Sequence, residues 1–421
     1  MMMPDFYRIK SNVLKNRILI ENFSFLSILH ITNLILFLIT IPYLFRVLGS
    51  RFYGLVVFAQ ALVVYFSIFI NFGFNLTATR DISVNRNNPV KISEIVSSVL
   101  TLKIILYGIS LFLMYLFTVF IPYLKEHRNL FLFSMLFCLN EALFPVWYFM
   151  GIEKMKYITF INASTRVIST IAVFILIKSS VDYILYPLIM GSGTVIGAFI
   201  ALLLVFTGQG IRFSFQESKI LKSYFLENIL YFLSNVSTQI YANANKLIVG
   251  SFLGMIEVAY YDIAEKVINI LKVPYSLLGQ TIFPKYSHDK NIRFLKKIFF
   301  ITMILTLALI SCLFMFSHII VYALSGTHDL NTVKVLRVLS LTMLPISISI
   351  FYGEIMLIGN NKKLEYAKMR VWGLLVYFGI FLYLKISGHL NALNIALMLV
   401  ISEFFIAVYA FLISRINGYD R

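Results

Sequence analysis

The strongest chemical signal in the chain is a row of ionisable and amide side chains inside one apolar segment. Within LGMIEVAYYDIAEKVINILKVP at 253–274, Asp262, Glu265, Lys266, Asn269 and Lys272 share one helical face, an arc of about 120°. The apolar segment before it sets Asn235, Gln239, Asn243 and Lys246 in an arc of about 80°. A third segment aligns Thr159, Asn162, Arg166, Ser169 and Thr170 within about 100°. Ammonium and guanidinium groups hold anions such as phosphates. The plainer reading is that these groups hold helices together: Asp262 and Lys266, four residues apart, can neutralise each other, and Lys246 can be held by a carboxylate on another helix such as Asp262.

The elements that carry these residues must be membrane helices. Hydrophobic residues make up 60% of the 421 and charged ones 13%, against roughly 25% charged in soluble domains. Twelve apolar segments are long enough to cross hydrocarbon: 22–45, 53–74, 92–120, 129–150, 159–177, 183–206, 229–250, 257–283, 298–316, 334–358, 371–386 and 390–413. The first is too long for a signal-peptide core and has no small-residue cleavage site, so it reads as a retained span. An ionisable group is costly in such a segment and usually faces a bundle interior or a hydrated cavity. Lys246 and Arg166 have no carboxylate within a turn or two of their own segments, and Lys103 lies too deep to snorkel. Together they suggest a cationic cavity, lined by Lys103, Arg166, Lys246, Lys266 and Lys272, that takes an anionic ligand. Asn235, Gln239, Asn243 and Asn269 would line its polar wall.

Other chemistries find no support. Cys138 and Cys312 sit in apolar segments as small core residues. The six histidines lack metal-ligand spacing, and no phosphate loop is present. No nucleophile, base and orienting group assemble in recognisable order, with Glu141, Glu354 and Glu403 each isolated within its segment. An enzyme, a cofactor and a metal are therefore not expected. The net charge of +17 reads as membrane orientation and not as nucleic-acid binding.

With both termini cytoplasmic, roughly four in five of the Lys and Arg residues outside the spans fall on the cytoplasmic side. On this scheme NFGFNLTATRDISVNRNN at 71–88 is a positive cytoplasmic loop that meets anionic lipid headgroups. The organisation expected is two lobes, 1–206 and 229–421, joined by a cytoplasmic linker at 207–228. Short matches between them, Leu48-Gly49 with Leu253-Gly254 and Gly151-x-x-Lys154 with Gly359-x-x-Lys362, point to an internal repeat.

FNLTATRDIS at 74–83, PVWYFMGIEKMKYI at 145–158, LGMIEVAYYDIAEKV at 253–267 and IFPKYS at 282–287 resemble Wzx-type O-antigen flippases. These belong to the multidrug/oligosaccharidyl-lipid/polysaccharide exporter superfamily. Ala259 departs from the pattern, where the family more often has Gly before the Tyr. The resemblance implies an all-α integral membrane protein of about twelve helices, in two six-helix lobes around a central polar cavity. It implies a multi-pass flippase of the bacterial inner membrane for undecaprenyl-pyrophosphate-linked repeat units, working by alternating access. It also implies lipid-linked oligosaccharide and inner-membrane lipids as partners, with the O-antigen polymerase and chain-length regulator of the same pathway, and, from the use other exporters of the superfamily make of such carboxylates, Asp262 and Glu265 as residues for a coupling proton or sodium ion. The rival readings are an O-antigen polymerase, for which the longest outer loop is short, and a multidrug-type antiporter, which would favour intramembrane carboxylates. A capsule or teichoic acid flippase would differ only in its glycan.

The orientation is open to direct test. In a variant lacking Cys138 and Cys312, Asn88→Cys and Lys362→Cys should resist a membrane-impermeant thiol reagent in intact spheroplasts, whereas His127→Cys and Asp329→Cys should react. Labelling of Asn88→Cys under those conditions would invert the topology.

Overall fold

Backbone amides cannot find water in hydrocarbon, so a spanning chain satisfies them internally, as helices do. The computed structural model describes the backbone of residues 4–207 and 210–418. Among the described residues it consists of helices and turns, with no β-strand. The chain divides into two compact units: Met1–Tyr43 with Leu62–Leu233, and Leu44–Ala61 with Ser234–Arg421.

α1 (Pro4–Asn71) is broken at Gly49, whose φ of 73° and ψ of 164° turn the chain between two helical arms. The first unit continues with α2 (Phe74–Val84), α3 (Pro89–Phe120), the short α4 (Pro122–Glu126), α5 (Arg128–Leu143), α6 (Val146–Gly151), α7 (Met155–Leu176) and α8 (Leu185–Thr207). It also takes the start of α9 (Ser218–Phe252). The second unit takes the rest of α9, then α10 (Met255–Asp289), α11 (Ile292–Ser325), α12 (Leu330–Ser340) and α13 (Met343–Ile348), which runs on as a π-helix over Ser349–Ile358. α14 (Lys363–Ile386) and α15 (Ala392–Ile416) complete it.

The apolar segments expected from hydropathy fall on these helices. Nine stretches of described residues are long and apolar enough to cross a membrane, the first of them Ser24–Val84, which contains the Gly49 break. α9 and α10, the carriers of two polar stripes, are not among the nine. Helix starts follow ordinary capping chemistry. Asn88 accepts from Lys91 N at 3.1 Å with Pro89 behind it, Asn291 from Phe294 N at 3.0 Å, and Asn391 from Asn394 N at 2.8 Å.

One expectation changes in kind. Much of the basic run at 71–88 is not a loop, because Phe74–Val84 forms α2. Its buried residues Phe74, Thr77, Ala78 and Ile82 keep helical spacing, and Ile82 meets α6 so closely that Gly151 has no room for a side chain. The turn before α2 uses Phe72 and Gly73 at φ 46° and 86°. Phe72 stacks on Phe225 and Phe232, both at 4.5 Å between ring centroids. Thr77 donates to Asn228 Oδ1 at 2.7 Å.

The internal repeat is written in backbone geometry more firmly than in residue matches. Gly254, like Gly49, holds positive φ with extended ψ, 99° and 170°. Glu153 and Asn361 both adopt left-handed backbone, at φ 58° and 61°, where non-glycine residues are uncommon. The amides around them repeat one pattern of the Schellman type. Lys154 N donates to Phe149 O at 2.9 Å and Lys362 N to Leu357 O at 2.8 Å, while Ile152 N and Asn360 N donate to Tyr148 O and Met356 O at 3.0 Å each.

Close helix approach in the second unit rests on Gly54, where an added Cβ would lie 1.8 Å from the Met255 carbonyl oxygen. Backbone cannot yield as a side chain can, so Gly54→Ala should destabilise the chain by at least about 1–3 kcal/mol. Gly108, with nothing within 4 Å, should accept Ala without loss. Thermal aggregation midpoints read by size-exclusion chromatography compare the two, and equal midpoints for Gly54→Ala and the unaltered chain would refute the contact.

Candidate functional site

In the second unit, the polar stripes of α9 and α10 close on each other. Lys246 Nζ lies 3.1 Å from Asp262 Oδ1 and 3.0 Å from Glu265 Oε2. Lys266 Nζ lies 2.7 Å from Asp262 Oδ2, across one helical turn. Tyr53, on the arm of α1 after Gly49, donates to the same Oδ2 at 2.7 Å and accepts from Lys266 Nζ at 3.1 Å. Asp262 is fully buried, so each of its oxygens is met by an ammonium, and one also by a phenol. The sequence builds this in two steps. Spacings of three and four put Asp262, Glu265 and Lys266 on one face of α10. Small residues then let helices approach: Gly54 fits against Met255 and Gly250 against Phe58, which brings Tyr53 and Lys246 up to that face.

A second polar group lies in the same unit. Arg370 of α14 donates to the Tyr241 hydroxyl at 3.2 Å and to the Tyr366 hydroxyl at 3.3 Å. Tyr377 donates to Asn245 Oδ1 at 2.5 Å. Lys272 forms no ion pair among the described residues but lies in the field of Glu403 and Glu265. Arg370, Tyr53, Tyr241 and Tyr377 were missed in the sequence. Arg370 sits just beyond a run of three other cations and reads as part of a cytoplasmic loop, although its i, i+4 spacing from Tyr366 was visible. Three tyrosines out of the 25 in the chain give no signal at all.

The first unit holds Lys103 and Arg166, and it treats them differently. Lys103 on α3 is fully buried and donates to the Glu141 carbonyl at 3.0 Å, to Asn75 Oδ1 at 3.2 Å and to Glu141 Oε1 at 3.3 Å. Asn71 donates to that carboxylate at 3.0 Å. Glu141, isolated along its own segment, is therefore the counter-charge of Lys103. Arg166 on α7 is exposed and donates to Asn33 Oδ1 at 2.8 Å.

The remaining polar residues are placed less uniformly than their helical arcs suggest. On α10 the stripe begins buried, at Asp262 and Glu265, and ends exposed at Asn269. On α9, Asn243 donates to the Gln239 carbonyl at 3.0 Å and Gln239 is exposed. The side chains of Asn235, Ser276 and Gln280 lie outside the described residues. Of the five cations expected to face an anion, three are ion-paired inside their own unit. Of the partners across a helix pair, Asp262 for Lys246 was open to expectation, while Glu141 for Lys103 was not.

Comparison with known proteins adds relatives to this geometry. A sequence profile of polysaccharide biosynthesis proteins matches residues 19–289. A protein of Escherichia coli (strain K12) named as an O-antigen transporter is 27% identical over 358 residues, 83% of this chain and 86% of the relative. A protein of Shigella dysenteriae with the same name is 28% identical over 281 residues, 66% of this chain and 70% of the relative. Among solved structures, the chain is similar to the lipid II flippase MurJ in an inward closed conformation. That match has a TM-score of 0.74 at 16% identity and covers 94% of this chain and 89% of the other. It is also similar to an inward-facing multidrug resistance transporter of the MATE family in the MOP superfamily, with a TM-score of 0.66 at 13% identity, covering 94% and 98%. At such identities the likeness is one of fold.

The charge cluster predicts a pattern of coupled stability. Asp262→Asn leaves two ammonium groups short of a counter-charge and should cost about 3–5 kcal/mol, read as lost abundance and a lowered melting midpoint. Adding Lys246→Met restores neutrality against Glu265 and Lys266, so the double variant should recover part of the loss. Purely additive losses would show that the pairing contributes nothing.

Proposed function

Because the chain belongs to the polysaccharide biosynthesis protein family, we propose that it is a flippase for lipid-linked oligosaccharides, with O-antigen repeat units on undecaprenyl pyrophosphate as its cargo. It is a transporter and not an enzyme. It moves the cargo from the cytoplasmic to the periplasmic leaflet of a bacterial inner membrane by alternating access, with both chain termini in the cytoplasm. The observation that carries this reading is a relative named as an O-antigen transporter that aligns with 83% of the chain.

The cargo combines an anionic pyrophosphate, a hydroxyl-rich glycan and an apolar tail. Lys246 and Lys266 are already desolvated and share one carboxylate, Asp262. A passing pyrophosphate that competes with Asp262 meets ammonium groups whose desolvation has already been met in folding. Lys272 adds a third ammonium in the same unit, and in the first unit Arg166, exposed on α7, and Lys103 offer a guanidinium and an ammonium of their own to anionic cargo. Asp262 and Glu265, once released from their lysines, have carboxylate oxygens free for a coupling proton or cation. Gln239, Asn243 and Asn269 supply amides to glycan hydroxyls. The pathway's polymerase and chain-length regulator are natural partners for the released product.

Lipid-linked sugars in a deletion strain test the reading. Single repeat units should accumulate on the cytoplasmic leaflet, and the intact gene should clear them. Units that reach the outer leaflet but stay unpolymerised would instead mark an O-antigen polymerase. At matched protein levels, Lys246→Arg should retain most O-antigen output and Lys246→Glu should abolish it. Normal output from a well-expressed Lys246→Glu would remove Lys246 from the anion path.

A further inference from the structure

We propose that the second unit carries a separate saccharide-binding pocket, about one and a half helical turns from Asp262 along α10, at the end where α10, α12 and α15 begin. The pocket is a cavity of about 430 Å³ lined by Glu257, Asn331, Lys334 and Asn391, with Leu253, Val335 and Leu393 among its apolar neighbours. Three helices start at its rim, at Met255, Leu330 and Ala392. Their first-turn amides add positive potential to that of Lys334.

Glu257 is half-buried and Lys334, Asn331 and Asn391 are exposed, and these groups are handled unlike the buried charges of the chain. Asp262 and Lys103 are each closed into ion pairs. Glu257 and Lys334 line one cavity with opposite charges, yet neither forms a hydrogen bond or ion pair among the described residues, and Asn331 forms no side-chain hydrogen bond there either. Glu257 also feels the negative charge of Asp329, which caps α12 by accepting from Thr332 N. Asn391 spends its Oδ1 on the α15 cap, leaving its amide nitrogen unengaged.

Such a set has an acceptor-only group, a donor-only group and amides that donate or accept. Vicinal hydroxyls need that mixture, because each hydroxyl both donates and accepts, and the apolar neighbours suit the C–H face of a sugar ring. The volume sits at the low end of ligand pockets, roughly 300–1,000 Å³. It suits one or two rings and not a whole repeat unit. On the charge-based orientation this end faces the periplasm, so the pocket would hold the leading or trailing sugar of a glycan on its exit side. This assignment rests on the glycan-transport reading for its biological meaning, but not for its chemistry.

The test uses the purified full-length chain in lipid nanodiscs and saturation-transfer NMR with D-glucose, D-glucuronate and N-acetyl-D-glucosamine. At least one should bind in the millimolar range. Glu257→Gln and Lys334→Met should each weaken it about tenfold, the loss of one charged hydrogen bond. Should either variant fail to match the unaltered chain in melting midpoint, Asn331→Ala replaces it. The proposal falls if none of the three sugars binds, or if the variants bind as the unaltered chain does. It also falls if glycerophosphoethanolamine displaces the sugar and binds more tightly, which would make the pocket a zwitterionic headgroup site. Binding is read without transport, so its failure leaves the deletion-strain result standing, and a deletion strain with normal lipid-linked sugars would leave the pocket standing.

Discussion

An ammonium group inside hydrocarbon must be neutralised where it sits, and the helical packing of both units is arranged around that demand. In the second unit, Asp262 is the group on which the others converge, since Lys246, Lys266 and Tyr53 all reach its two oxygens. Tyr53 and Lys246 come from helices that pack on α10 only because Gly54 and Gly250 lack side chains. In the first unit, Lys103 plays the central part, gathering Asn75 and Glu141 from separate helices. Removing one partner of such a group is far more damaging than exchanging the whole set for apolar residues. Charges placed this way therefore act first as constraints on which helices can be neighbours.

On the proposed function, the same demand would let these residues also serve transport. A bare buried cation would have to be desolvated before it met an anionic ligand. One already held by a carboxylate needs only to change partners. Shared carboxylates such as Asp262 make that exchange gradual, because losing one lysine leaves the other in place. Arg166, held by a neutral amide at the surface of its unit, gives up less still.

Much of the fold was legible because hydrocarbon simplifies the code. Long apolar runs mark helices, Asn and Pro mark their starts, and Gly49 and Gly254 mark turns that need positive φ. The candidate site was legible by helix face, so α10 displayed its stripe in full. Pairing across helices was legible only in part. Lys246, with no carboxylate on its own helix, pointed to Asp262 on the next, but Glu141 seemed isolated because Lys103 lies on another helix. The basic run at 71–88 misled because its charges drew attention from Phe74, Thr77, Ala78 and Ile82, whose spacing already described a buried helical face. The repeat was faint in residues and clear in geometry, since Glu153 and Asn361 share a backbone conformation without sharing a side chain.

The composition of the Asp262 cluster has an electrical consequence. The formal charges of Lys246, Lys266, Asp262 and Glu265 sum to zero. A transmembrane voltage does work of about 2.3 kcal/mol per elementary charge per 100 mV, and on a neutral body that moves intact it does almost none. The cluster can therefore shift with its helices at any resting potential without being driven or held back. Voltage gains a grip only when a member takes up a proton or trades its partner for an outside ion, so binding itself would decide when the membrane's field is felt.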